Sequence, residues 1–432
     1  MAAANGVGAA ASQRLVTDAI AAYARRPHPA ALCCDIQRYV WGDRHFIPDL
    51  LGTPSPAADP QAELWIGAHP DLPASVCLHP ARVPLDALIA AMPAAVLGAD
   101  AAERFDHTLP FLFKVLAAAT PLSIQAHPNR AQAAQGFLRE DRLGLALSDP
   151  KRSYRDRNHK PELLVALTDF HALRGFRPLH ELAAELQRWP PLTDMRRHLD
   201  GGTAGLRALY ADFMRLPQPA VDALLAPVVA AAGRKACDPK DPSRERCQWL
   251  MQAHNGFSPP GHYDRGLLSL LLLNLLHLRP GQAIFLPAGE LHSYLQGAGL
   301  ELMANSNNVL RGGLTAKHID VAALLEVLRV DPHAPEILAP VTAVDDPRWQ
   351  TYAPPAAEFS LHRLRLGAGD SAPLQPAAVM LGLVLEGELD IAGAGTRLRL
   401  RRGGSCLVPA GEALRLASRS GVDLALATTP PS

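Results

Sequence analysis

The chain has 432 residues, its 42 Lys and Arg are balanced by 42 Asp and Glu, and 48% of its residues are apolar. That length supports two or three domains with a sizeable core, and the balanced charge gives no basis for a nucleic-acid or anionic-membrane partner. The six cysteines, at 33, 34, 77, 237, 247 and 406, form no CxxC pair and no framework, which suits reduced thiols in a reducing compartment. No basic segment precedes an apolar one at the start. The most apolar run, 267–278, is interrupted by Ser269, Asn274 and His277 and is too short to span a bilayer, so it reads as a buried strand. The expectation is a cytoplasmic monomer that works on a small molecule.

In chain order, residues 1–12 are Ala- and Gly-rich and read as a disordered tail. Leu15, Ile20 and Tyr23 give 13–25 a helical pattern that stops before Pro27. Short extended runs begin near 31 and include 39–42 (Tyr-Val-Trp-Gly) and 62–67 (Ala-Glu-Leu-Trp-Ile-Gly). The Pro-rich stretch 50–61 reads as a loop, and the alanine-rich stretch 83–107 as helix. Two strands follow, at 109–116 and 121–128. A helix is expected over 129–143, amphipathic through Ala131, Ala134, Phe137 and Leu138. A charged loop at 149–162 leads into a strand at 163–168.

Between 179 and 255 the period changes. Leu179, Leu182, Leu186 and Trp189 recur at helical spacing, as do Leu206, Leu209 and Phe213, and later Val221, Leu224 and Leu225. This predicts a helical insertion in a β domain. Extended patterns resume near 267, a helix is expected over 316–328, and 331–432 reads as a second β domain. The chain is thus divided into a tail and short helix (1–30), a discontinuous β domain (31–178 and 256–330), an insertion (179–255) and a C-terminal β domain (331–432).

In 121–128 (Pro-Leu-Ser-Ile-Gln-Ala-His-Pro), Leu122, Ile124 and Ala126 alternate with Ser123, Gln125 and His127. A strand with this period carries one polar face. Following the apolar strand at 109–116, it belongs in a core, where such a face needs partners. It is either a satisfied polar ladder or a pair of metal ligands, Gln125 and His127, aimed the same way by the pleat.

An internal repeat supplies a third ligand. Residues 280–292 (Pro-Gly-Gln-Ala-Ile-Phe-Leu-Pro-Ala-Gly-Glu-Leu-His) are echoed at 402–414 (Arg-Gly-Gly-Ser-Cys-Leu-Val-Pro-Ala-Gly-Glu-Ala-Leu). Both read as a turn glycine, a buried strand and a Pro-x-Gly turn into the next strand. The pattern resembles the second motif of cupins, small jelly-roll barrels in which the closing His points inward to a metal. The fold class expected is therefore mainly β: one metal-bearing barrel closed by His292 and one metal-free barrel with Leu414 in that place, plus the helical insertion. Glu162, heading a strand whose other residues are apolar or Thr, is the fourth candidate ligand. Two His, one Glu and one Gln suit Zn²⁺ in an open site. Donor type alone also admits Mn²⁺, Co²⁺ or Fe²⁺.

Several long motifs now carry a family resemblance. Residues 154–162 (Tyr-Arg-Asp-Arg-Asn-His-Lys-Pro-Glu) resemble the signature of type I phosphomannose isomerases, and 292–317 their second signature. Residues 62–67, 109–114 and 122–128 are similar too, so the likeness runs from about 39 to 328, with the insertion in the expected place. The resemblance implies interconversion of mannose 6-phosphate and fructose 6-phosphate through an enediol, with one Zn²⁺ on Gln125, His127, Glu162 and His292, and a place in mannose metabolism and GDP-mannose supply. It puts Ser123, Lys160, Tyr294, Glu301, Arg311 and Lys317 around the substrate. Such a reaction needs a base near C1 and C2, an electrophile for the developing oxyanion and an anchor for the phosphate. A metal can be the electrophile. The candidates for the base are Lys160, beside the metal, and Glu301. Arg311 suits charge on the reacting oxygens or the phosphate, and Lys317 and Ser123 suit the phosphate. Arg155 and Arg157 read as a solvated face, and Trp41 and Trp65 as core.

Two departures from the family pattern stand out. Asn307 occupies a place where the family has a carboxylate, and 311–317 reads Arg-Gly-Gly-Leu-Thr-Ala-Lys, with both cations kept. The alternatives are a non-catalytic sugar-phosphate sensor on the same scaffold and an isomerase for another sugar phosphate.

Overall fold

A computed structural model describes residues 2–431, with side chains from residue 13 onward. The first helix runs Ala2–Ala24. The helix expected over 13–25 is thus present, and it continues back through the stretch read as a disordered tail. The contacts divide the chain into two compact units, one of residues 1–117, 299–305 and 338–432, the other of 118–298 and 306–337. Among the described residues no single helix is long and apolar enough to cross a membrane.

The first unit is built on antiparallel sheets. Its main path runs through strands Val341–Thr342, Trp349–Tyr352, Ser360–Leu366, Val422–Thr428, Met380–Gly393, Ser405–Val408, Ala30–Cys33, Ser75–Leu78 and Ala81–Pro84. Residues 30–33 therefore share a sheet with the last hundred residues, with Ala30 opposite Leu407. Leu364, Val384, Leu389, Leu416 and Leu424 fill the core here, and Leu414 belongs to the same apolar cluster. A separate set of strands, Asp35–Gln37, Glu63–Gly67 and Phe111–Ala118, places Trp65 opposite Lys114. Residues 83–107 are not one helix. They end a strand at Pro84 and then form three short helices, Leu85–Ala91, Pro93–Leu97 and Ala99–Arg104, because Pro93 and Gly98 interrupt the ladder.

The second unit joins antiparallel strands to a helical cluster. Phe170–Phe176 pairs with Leu273–Leu278 and with the strand that begins at His292, while Ile124–Ala126 pairs with Leu310–Gly313. Helices Leu179–Arg188, Gly202–Arg215, Gln218–Cys237 and Arg244–Phe257, with a 3₁₀ segment Pro190–Gly201, occupy the stretch with helical period. Their core is made by the residues the period selects: Leu182, Leu186, Trp189, Leu206, Leu209, Phe213, Val221 and Leu225 are buried.

Three local expectations fail here for identifiable reasons. The run 267–278 is half helix: Gly266–Leu272 is helical, opened by Asp264 Oδ1, which accepts from the Gly266 N–H at 2.7 Å, and the strand starts only at Leu273. A mostly apolar run of this length does not distinguish the two states. The helix expected over 316–328 starts at Val321, where Asp320 accepts from the Ala323 N–H as N-cap. Helix Arg130–Arg142 is present and is opened by an Asn129–Gln132 capping box, but its buried positions are Ala133, Gly136 and Glu140. Ala131 and Leu138 face solvent. Glu140 is drawn inward because its carboxylate accepts from the Ser153 and Tyr154 N–H groups, at 3.0 and 2.8 Å. Gly136 leaves room for the Tyr154 ring, which a Cβ there would meet at 2.5 Å.

Candidate metal centre

Three strands bring the polar face of 121–128 to its partners. His292 lies opposite Gln125, and Gln125 opposite Arg311. Residues directly opposed in adjacent antiparallel strands project from the same face, so His292, Gln125 and Arg311 form one transverse row. Glu162 heads strand Glu162–Ala166, opposite Leu286 at the end of Ala283–Leu286. The turn at 287–291 then carries the chain into His292.

His127, Glu162 and His292 converge. Their ligand atoms all lie within 4.8 Å of one another and all three residues are buried. His127 Nε2 is 3.3 Å from Glu162 Oε1, and His292 Nε2 is 3.4 Å from Glu162 Oε2. The other ring nitrogens are committed to main-chain carbonyls, His127 Nδ1 to Asn308 O at 2.7 Å and His292 Nδ1 to Glu290 O at 2.9 Å. A carbonyl only accepts, so each Nδ1 carries the proton and each Nε2 presents its lone pair to the other two residues. Both Nε2 atoms are buried without a hydrogen-bond partner. Two orphaned imidazole lone pairs facing one buried carboxylate fit a divalent cation with N and O preference such as zinc.

The electrostatics agree. Burial, followed by the charge of Lys160, pushes His127 down to about 4, so its imidazole is neutral as a metal ligand requires. Burial opposes ionisation of Glu162, but Lys160 and the two histidines outweigh it and hold the carboxyl well below the usual range. Lys160 Nζ lies 3.0 Å from Glu162 Oε1. Tyr294, also buried, donates to Glu162 Oε2 at 3.5 Å, and its ring meets Phe170 edge-on.

The remaining expected residues divide by unit. Ser123, half-buried, and Lys317, exposed, belong to the second unit with Gln125, Lys160, Tyr294 and Arg311. Burial and neighbouring cations lower the basicity of both Arg311 and Lys317. Glu301 belongs to the first unit, where its Oε2 lies 3.0 Å from Lys114 Nζ. Lys114 is also 3.3 Å from Glu63 Oε2, and all three side chains are buried. Trp65 is buried, as expected, and donates to Glu63 Oε2 at 2.6 Å, whereas Trp41 is only half-buried.

Two supports of the centre have no signal in period or composition. Asn308, fully buried, accepts from the Arg155 and Asp156 N–H groups and donates to Asp156 Oδ1 and Asn158 O, while its own carbonyl holds His127. Asp156 in turn accepts from Ser306 Oγ and from the Asn307 N–H, at 2.9 and 2.6 Å. Glu290, whose carbonyl orients His292, is fixed by a buried ion pair with Arg174 at 3.1 Å. Only the co-occurrence of 154–162 and 306–308 in one family pattern hints at the first network, and nothing hints at the second.

Comparison with known proteins identifies the family. Residues 30–179 match the model of the phosphomannose isomerase type I catalytic domain. The mannose-6-phosphate isomerase of Salmonella typhimurium is 37% identical over 89% of this chain and 96% of its own length. The human enzyme is 31% identical over 90% of this chain and 95% of its own. Among solved structures, the Salmonella typhimurium mannose 6-phosphate isomerase bound to its substrate fructose 6-phosphate and zinc superposes with a TM-score of 0.82, at 32% identity, covering 94% of this chain and 100% of that one. A zinc-bound form of mannose 6-phosphate isomerase gives the same TM-score. Likeness of this extent, spanning both units and nearly the full length of the relatives, shows that the chain belongs to the type I phosphomannose isomerases.

Proposed function

We propose that the protein interconverts D-mannose 6-phosphate and D-fructose 6-phosphate with one zinc ion per chain. The observation that carries this is the pair of orphaned Nε2 atoms facing Glu162 in a buried pocket of a chain of this family. His127, Glu162 and His292 would hold the ion, with Gln125, opposite His292, as the fourth ligand. Bound there, zinc supplies a Lewis acid for the sugar oxygen that gains charge during enolisation.

The chain's own groups do the rest. Lys160, 3.0 Å from Glu162, is the group we assign to proton transfer between C1 and C2. Glu301 is the less suited base because its carboxylate is paired with Lys114 in a buried site. Arg311, in the same row as Gln125 and His292, stabilises negative charge on the substrate. Lys317 and Ser123 hold the phosphate, and Tyr294 walls the pocket beside Glu162.

We also read the two strand–turn–strand copies as the closing motifs of two cupin barrels. Both copies keep the turn glycine at positive φ, Gly289 at 80° and Gly411 at 103°, and the second ends on Leu414 in an apolar core. In this reading 179–255 is an insertion, and the protein acts as a cytoplasmic monomer.

The assignment of Lys160 is tested by solvent exchange of the C2 proton of mannose 6-phosphate. Lys160→Ala is expected to abolish exchange while retaining zinc. Full exchange in Lys160→Ala, with none in Glu301→Gln, would move the role to Glu301.

A further inference from the structure

The signature loop carries two arginines, and they behave differently. The Arg157 guanidinium lies over the Phe137 ring, 5.1 Å from its centroid, beside Arg152 at 4.6 Å. That is a packed surface arginine. Arg155 is exposed and has no such partner. Its main chain is nevertheless fixed: its N–H donates to Asn308 Oδ1 at 2.7 Å, and the next residues are tied to 306–308 through Asp156 and Asn158. The segment that holds it leads, three residues on, into Arg311. Arg155 is thus anchored on the flank of the strand that presents Arg311 in the row with Gln125 and His292.

The charge around it is one-sided. Arg155 lies within the electrostatic reach of Arg311, and Arg311 and Arg155 within that of Lys317, each adding to burial in lowering basicity. Among the described residues no carboxylate forms an ion pair with any of the three. Three cations brought within each other's field without a counter-ion are costly unless an anion joins them. With its main chain fixed at Asn308, Arg155 has an exposed guanidinium that can meet a phosphate through two parallel N–H donors.

We propose that Arg155, beside Arg311, is a further cation of the phosphate-holding group, gripping the phosphate of the sugar phosphate together with Lys317. The inference rests on the isomerase reading for the identity of the ligand, and it adds a residue outside the set that the family resemblance placed around the substrate.

Steady-state kinetics with fructose 6-phosphate, and calorimetric binding of inorganic phosphate to the zinc-loaded protein, test it together. Arg155→Ala is expected to raise KM about tenfold and to weaken phosphate binding by a similar factor, the loss of one charge-assisted contact. The effect on kcat should stay within about twofold, zinc content should be unchanged, and Arg155→Lys should recover part of the loss. Arg157→Ala, on the same loop, should change neither KM nor phosphate affinity. An Arg155→Ala protein with unchanged KM and phosphate affinity, or one matched by Arg157→Ala, overturns the proposal. Wild-type protein that binds phosphate through Arg155 but turns over no fructose 6-phosphate would overturn the isomerase reading and leave the anion site standing.

Discussion

At the scale of single residues, the division of labour between ligands and substrate groups is open to direct test. His127 donates Nδ1–H to Asn308 and aims Nε2 at Glu162, so its removal takes away a candidate ligand. Arg311 stands on the neighbouring strand, opposite Gln125, and among the described residues forms no ion pair with the three converging residues. His127→Ala is expected to lose zinc affinity by more than about a hundredfold, whereas Arg311→Ala should keep its zinc and lose about a hundredfold or more in kcat. Elemental analysis of both variants after dialysis checks this, and an Arg311→Ala protein emptied of metal would contradict it. The zinc-free protein should also be sensitive to acid. Burial pushes His127 down to about 4, from 6.5 in the unfolded chain. Between those values the unfolded chain binds a proton that the folded one refuses. Stability is therefore full above pH 6.5 and falls as pH drops towards 4, by about 3 kcal/mol for this residue. Glu162, held low by its cationic neighbours, acts in the same direction at still lower pH, where its protonation removes further stability. Urea unfolding of zinc-free protein at pH 7 and pH 4.5 measures the slope, and His127→Gln should flatten it; an unchanged slope would mean that His127 is not the group refusing the proton.

At the scale of elements, one turn couples both histidines. The Gly289 N–H donates to the His127 carbonyl at 2.7 Å, and the Gly289 carbonyl accepts from the Arg329 N–H at 2.8 Å. Gly289 adopts a φ of +80°, and a Cβ there would meet Val327 O at 2.5 Å. Gly289→Ala is expected to cost about 2–3 kcal/mol of stability and about tenfold in zinc affinity, because strain in this turn reaches His127 and, through Glu290, His292. Thermal unfolding and chelator competition read the two effects, and a variant with normal zinc affinity would uncouple the turn from the centre. The sequence made this turn visible, since the Pro-x-Gly pattern at 287–289 and its copy at 409–411 specify a left-handed glycine. It also made visible the strand period that sets Gln125 beside His292. The buried face of helix Arg130–Arg142 was only partly legible: Phe137 packs against the core as expected, but Glu140 is drawn inward by two N–H groups 13 and 14 residues away. The same holds for Asn308, whose partners lie about 150 residues earlier in the chain.

At the scale of the whole molecule, long-range pairing decides what local patterns cannot. The period over 179–255 identified the helical cluster and part of its core, while Tyr210, Val228, Trp249 and Leu250 were not singled out. The membership of strand Ala30–Cys33 in a sheet with Ser405–Val408 was hidden, because short alternating strands carry no record of which distant edge they join. Strand His292–Ala304 begins at the metal centre and ends in the first unit, nine residues taking the chain from His292 to the buried Lys114–Glu301 pair. The convergence of His127, Glu162 and His292 follows the polar positions singled out in the sequence, where burial demands a partner. The central claim is that zinc held by His127, Glu162 and His292 makes this chain a sugar-phosphate isomerase. The most direct measurement is a zinc titration of demetallated protein, following fructose 6-phosphate turnover. The expected result is no turnover without metal and a rise that saturates at one zinc per chain. Full turnover in the demetallated protein, or saturation with none, would contradict it.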